Sequence, residues 1–103
     1  MQRRTTVIAI LLALGIPSVS SAAGQWVRFA GCPVAGVEHG CIVVKSGPAT
    51  YNVSAAIPKI RLRGLGIAGR GMVAGGVSYC MQGVILRNIS YAYTRQRCPI
   101  IGR

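Results

Sequence analysis

Hydrophobic and polar positions in this chain fall into short β-rich runs separated by glycine and proline, a pattern that predicts strands joined by turns. Residues 41–45 and 50–54 are two such runs. They flank Ser46-Gly47-Pro48-Ala49, which predicts a hairpin with a four-residue loop. Upstream, residues 25–31 alternate, with Val27 and Phe29 on one face and Arg28 on the other, and read as a first strand. Residues 32–36 are expected to bend the chain towards the hairpin, with Pro33 at an edge or bulge. Downstream, residues 55–60 are too short and too broken by Pro58 for a lasting helix, so they read as a crossover holding at most one helical turn. Residues 61–73 carry glycine at every second or third position. Such spacing weakens a strand but permits tight coiling and close backbone approach. Gly75 and Gly76 end that segment, residues 78–83 form a cysteine-bearing turn, and residues 84–93 read as the last strand before a basic tail.

The run that does not fit this pattern lies at the N-terminus. Arg3 and Arg4 precede an apolar stretch over residues 5–15, which is shorter than the roughly 20 residues a spanning helix needs and is followed by Pro17 and Ser21-Ala22-Ala23. These features predict a signal peptide over residues 1–23, cleaved before Gly24, and hence a periplasmic or secreted protein with no membrane span after cleavage. The remaining domain, residues 24–103, keeps ten basic residues against the single acid Glu38, a net charge of +9 compared with +11 for the whole chain. A domain of this size is marginal without covalent help. Cys32, Cys41, Cys80 and Cys98 are therefore expected to form two disulfides. A turn centred between Gly36 and Val37 would place Cys32 opposite Cys41 and favours Cys32–Cys41 with Cys80–Cys98. The main alternative is Cys32–Cys98 with Cys41–Cys80, because the first and last strands of a barrel run close together.

Five short strands, an interrupted crossover between the third and fourth, and a glycine-rich fourth strand predict an all-β fold, a small five-stranded OB-like barrel stapled by disulfides, with an open β-sandwich as the alternative. Residues 36–44 (GVEHGCIVV), Tyr51-Asn52-Val53 and the turn at 78–83 (SYCMQG) resemble small secreted bacterial OB-like domains of uncharacterised function. The resemblance implies a β-barrel and a periplasmic address, and brings no catalytic residue with it.

The chemistry-bearing residues exclude more than they propose. Paired-carboxylate catalysis needs two acids, and the domain has one. Glu38 and His39 are neighbours in a predicted turn, no G-x-S-x-G elbow is present, and the cysteines form no C-x-x-C pair, so no enzyme, metal site or cofactor is expected. Gly64-Leu65-Gly66-Ile67-Ala68-Gly69 spells G-x-G-x-x-G, but it precedes no helix and lacks the downstream acid of a dinucleotide loop. The sequons at Asn52 and Asn88 lie in predicted strands and read as chance. Basic charge is the signal that is left. Lys59, Arg61, Arg63 and Arg70 are the candidate ligand-binding residues, and such charge draws polyanions. Few aromatics interleave with these residues, which ranks nucleic acid below an anionic envelope polymer or an acidic protein. The expected function is a non-enzymatic binding or accessory domain. The alternative is an inhibitor or interaction protein for a secreted enzyme, docking through the turns at 33–40 and 74–83.

Overall fold

The computed structural model describes residues 22–99, so of the expected signal segment only Ala22 and Ala23 lie within the described residues. No helix occurs among them, and none is long and apolar enough to cross a membrane. The elements are β1 (Trp26–Gly31), β2 (Pro33–Ala35), β3 (Ile42–Ser46), β4 (Ala49–Asn52), β5 (Leu65–Val73) and β6 (Val84–Arg97). They form one mixed sheet in the order β1-β5-β6-β4-β3-β2, antiparallel except where β4 and β6 run parallel. The fold is therefore all-β, as expected, but it is an open six-stranded sheet and not a five-stranded barrel closed by hydrogen bonds.

The extra strand comes from the segment expected only to bend. Residues 33–35 stay extended and pair with β3, with Pro33 on an edge strand where its missing N–H costs no ladder bond. Val34 faces Val43 and Ala35 faces Ile42, so the turn between β2 and β3 is centred between Glu38 and His39 rather than between Gly36 and Val37. Cys41 thus lies opposite Gly36, whose N–H donates to its carbonyl at 2.7 Å, and a Cys32–Cys41 bridge is out of register. The disulfides are Cys32–Cys98 and Cys41–Cys80, the alternative of the two expected pairings. Pairing of β1 with β5 and of β5 with β6 brings Gly31 to Ile67 and Leu65 to Arg97, which delivers Cys32 to Cys98. Two disulfides in so small a domain are consistent with an extracellular or periplasmic location.

The central hairpin forms about its expected centre with a shorter loop, Gly47-Pro48, because Ser46 and Ala49 pair. Gly47 has φ of +61°, the requirement at the first central position of a type II′ hairpin turn. The crossover holds no helical turn, and its Ala56 and Ile60, with Val53 just before it, are buried beside Phe29, Val44, Ile67 and Leu86. The glycine-rich segment is a strand from Leu65 onwards, and Gly69 shows why it needs glycine: a Cβ there would collide with the Ser90 carbonyl oxygen across the β5–β6 ladder. Asn52 is the buried polar residue of this core, 2% exposed, with its amide donating to the Cys80 carbonyl at 2.7 Å and its oxygen accepting from the Ser54 N–H. Its sequon is thereby sealed inside the fold.

Candidate functional site

Alternation along β1 buries Phe29 and turns Trp26, Arg28 and Ala30 outwards. The β1–β5 register then sets Arg28 directly opposite Arg70, Ala30 opposite Ala68 and Trp26 opposite Met72. On β6, Ser90 lies opposite Arg70 and Ala92 opposite Ala68, so one row across three strands reads Arg28, Arg70, Ser90. Simple alternation back from Ser90 would turn Leu86 out and Arg87 in. The ladder shifts register between Arg70 and Met72, Asn88 adopts φ of 53°, and Arg87 arrives opposite Met72 while Leu86 is fully buried. Re-aiming a side chain is a common use of a β-bulge, and asparagine is among the residues that tolerate the left-handed conformation this one needs.

Three arginines therefore share a face with Trp26, which is 45% exposed and carries the Arg70 guanidinium 4.4 Å above its ring centre. A cation–π contact of this kind fixes the guanidinium in place and contributes about 0.5–1 kcal/mol at an exposed site. Like charges directly opposite one another across a ladder repel. The only acid of the chain, Glu38, lies in the β2–β3 turn and not among these arginines. Beside Arg28 and Arg70 the small side chains of Ala30, Ser46, Ala68 and Ser90 leave an open trough of about 720 Å³.

A second cationic cluster sits where the 53–64 connection crosses β6. The Arg61 N–H donates to the Tyr93 hydroxyl at 2.9 Å, the Arg63 guanidinium stacks 5.0 Å from the Tyr93 ring centre, and the Tyr91 hydroxyl donates to the Pro58 carbonyl at 2.8 Å. The two tyrosine rings meet edge to face at 5.7 Å. The Arg61 N–H, then the neighbouring Tyr91 and the two guanidiniums, hold the Tyr93 phenol below its ordinary pKa, whereas partial burial and the interaction with Tyr93 push Tyr91 up. A depression of about 320 Å³ opens here between Ile57, Pro58 and β6.

The four expected ligand-binding residues are thus distributed. Arg61 and Arg63 meet at Tyr93, whereas Arg70 is on the other face of β5 with Arg28 and Arg87. Lys59 is at a third place, donating from Nζ to the Gly40 carbonyl at 2.6 Å in the β2–β3 turn. Arg28 was legible from the alternation of β1. Arg87 was hidden by the bulge at Asn88, which no residue pattern announced.

At the end of the sheet remote from Cys98, the β2–β3 turn and the 74–83 loop are joined twice, by Cys41–Cys80 and by the Val37 N–H donating to Gln82 Oε1 at 2.8 Å. The paired loops expose Val37, Val77, Tyr79 and Met81. All four cysteines are in disulfides, and among the described residues no three His, Cys, Asp or Glu side chains gather as they would around a metal ion. The arginine clusters offer guanidiniums, hydroxyls and phenols, groups that can donate hydrogen bonds to an anion. No family model, curated protein or solved structure matches this chain.

Proposed function

We propose that this chain is a non-enzymatic binding domain for an anionic polymer of the cell envelope, engaged through the arginines of the β1–β5–β6 face. The observation that carries the reading is the placement of Arg28 against Arg70, with Arg87 in the next row and no acid among them. A sheet gains nothing from opposing two guanidiniums, so the arrangement costs stability until an anion lies between them. Trp26 orients Arg70 in advance, which lowers the ordering cost on binding. The signal peptide and the periplasmic or secreted address belong to the same reading, and the disulfides support them.

The OB-like barrel also belongs here. Cys32 alone separates β1 from β2, which pair at opposite ends of the sheet, β1 with β5 and β2 with β3. Taken as one bent strand, they turn the open order into a ring of five, and the Ala30 N–H donates to Ser46 Oγ at 3.1 Å across the junction. A heparin titration over a range of salt concentrations tests the function. Wild-type affinity should fall steeply with salt, and R28Q/R70Q/R87Q should lose more than tenfold in affinity at low salt while keeping its fold. Equal affinity of the folded triple variant would reject this face as the site.

A second reading, docking to a secreted enzyme or other protein, is favoured by one observation: the two turns on which it depends are stapled together by Cys41–Cys80. In an OB-like barrel they would be the loops after the first and fourth strands, which flank ligand sites in such folds. Capture of a partner that survives high salt, lost in Tyr79→Ser with Met81→Ser, would support it, because apolar interfaces resist salt and polyanion contacts do not.

A further inference from the structure

We propose that the polymer is an acidic glycan and that one chain of it occupies both arginine clusters by crossing β6 over Ser90, Tyr91 and Ala92. The inference rests on the polyanion reading above and adds the ligand class and its path. Those three residues line the trough beside Arg28 and Arg70 and also the depression beside Pro58 and Tyr93. β6 pairs with β4 only through Val84 and Ile85, so no strand of the sheet separates the two sites along its later residues. The row Arg28, Arg70, Ser90 runs across the strands and spans roughly 10 Å from β1 to β6. It ends at the segment beyond which Arg61 and Arg63 gather on Tyr93.

The floor of this path selects the ligand. Alanine and serine side chains line the trough and flank Tyr91 where the path crosses β6, with hydroxyls at Ser46 and Ser90 to meet sugar hydroxyls. Nucleobases need free aromatic faces on which to stack. Here Trp26 carries Arg70 and Tyr93 carries Arg63, while Tyr91 packs edge to face on Tyr93, so the rings beside the arginines are already engaged. A glycan bearing carboxylates or sulfates on successive sugars meets guanidiniums at both ends of the path and Ser90, Tyr91 and Ala92 between them.

Because the second cluster binds a segment already tethered at the first, affinity should rise in a step with chain length. Heparin-derived oligosaccharides of increasing length, from the disaccharide upwards, provide the probe. Wild-type protein should show a gain of about a hundredfold at the length that spans both clusters. R28Q/R70Q and R61Q/R63Q should each keep binding of short oligosaccharides and lose the step, whereas R61K/R63K, which retains the charge, should keep it. A smooth rise without a step, or a step that survives in either glutamine pair, would overturn the bridging path while leaving polyanion binding intact. Failure of the longest heparin chain to bind wild-type protein at low salt would overturn the parent reading as well. Tighter binding of an oligothymidylate of matched charge would replace the glycan with nucleic acid.

Discussion

At the stapled end of the sheet the buried polar groups are matched: Asn52 uses both its amide and its oxygen, and Cys41 is bonded to Cys80 beneath the loops. On the β1–β5–β6 face the strongest polar groups of the protein are unmatched by charge, with Arg28 opposed to Arg70 and Arg87 close by. The first region is constructed as structure requires, since an unsatisfied buried group costs about 1–3 kcal/mol. The second tolerates repulsion that a purely structural face would remove with one glutamate. In a chain with a single acid, the surplus charge follows from composition, but its gathering around one tryptophan follows from register and a bulge.

The largest effect should come from cutting the staple. Replacing Cys41 and Cys80 together with alanine releases a loop of sequence separation 39 and should lower unfolding free energy by about 4 kcal/mol, read by urea denaturation. Glycan affinity measured well below the new midpoint should hardly change if the two regions are independent. A parallel loss of affinity would join them into one site.

Next is Asn52→Ala, which leaves the Cys80 carbonyl and the Ser54 N–H without their partner and should cost about 2 kcal/mol. Arg28→Gln with Arg70→Gln should behave in the opposite sense on the other face. Relief of the opposed charges should leave stability within about 1 kcal/mol of wild type, while the slope of log affinity against log salt should shrink by about 1.4, two contacts at about 0.7 each for a flexible polyanion.

The sequence carried this contrast unevenly, for physical reasons. Alternation made β1 readable and placed Arg28 outwards, and the Gly47-Pro48 turn was visible from its breakers. The pairing of β2 was not, because Cys32-Pro33 looks like a bend and the strand is held by its partner rather than by its own propensity. That unseen pairing moved the turn centre by two residues, and with it went the favoured disulfide pairing, leaving the alternative, Cys32–Cys98 with Cys41–Cys80. Charge counting found Arg61, Arg63 and Arg70 by proximity along the chain. The faces on which they lie depend on β5 pairing with both β1 and β6, which no local pattern encodes.

The smallest effect is spectroscopic. Ultraviolet titration should show Tyr93 ionising before Tyr91, since the Arg61 N–H and nearby guanidiniums favour the Tyr93 phenolate while burial and that neighbour oppose ionisation of Tyr91. For Tyr93, whose pKa is lowered by folding, the linked stability appears as pH rises through the alkaline range and is lost as pH falls through its folded value. Tyr91 has the reverse sign. Arg63→Gln should move Tyr93 back towards the ordinary value of about 10.

The most direct measurement sets two charge-matched variants side by side in heparin binding at low salt. R28Q/R70Q/R87Q removes the arginines around Trp26, and K45Q/K59Q/R95Q removes the same charge from exposed positions elsewhere. If the face is the site, the first should lose more than tenfold in affinity and about 2 in salt slope, three contacts at about 0.7 each, and the second should lose less than about threefold. Equal losses in the two variants would mean that the protein attracts polyanions through net charge alone, and that the gathering of arginines around Trp26 has no part in binding.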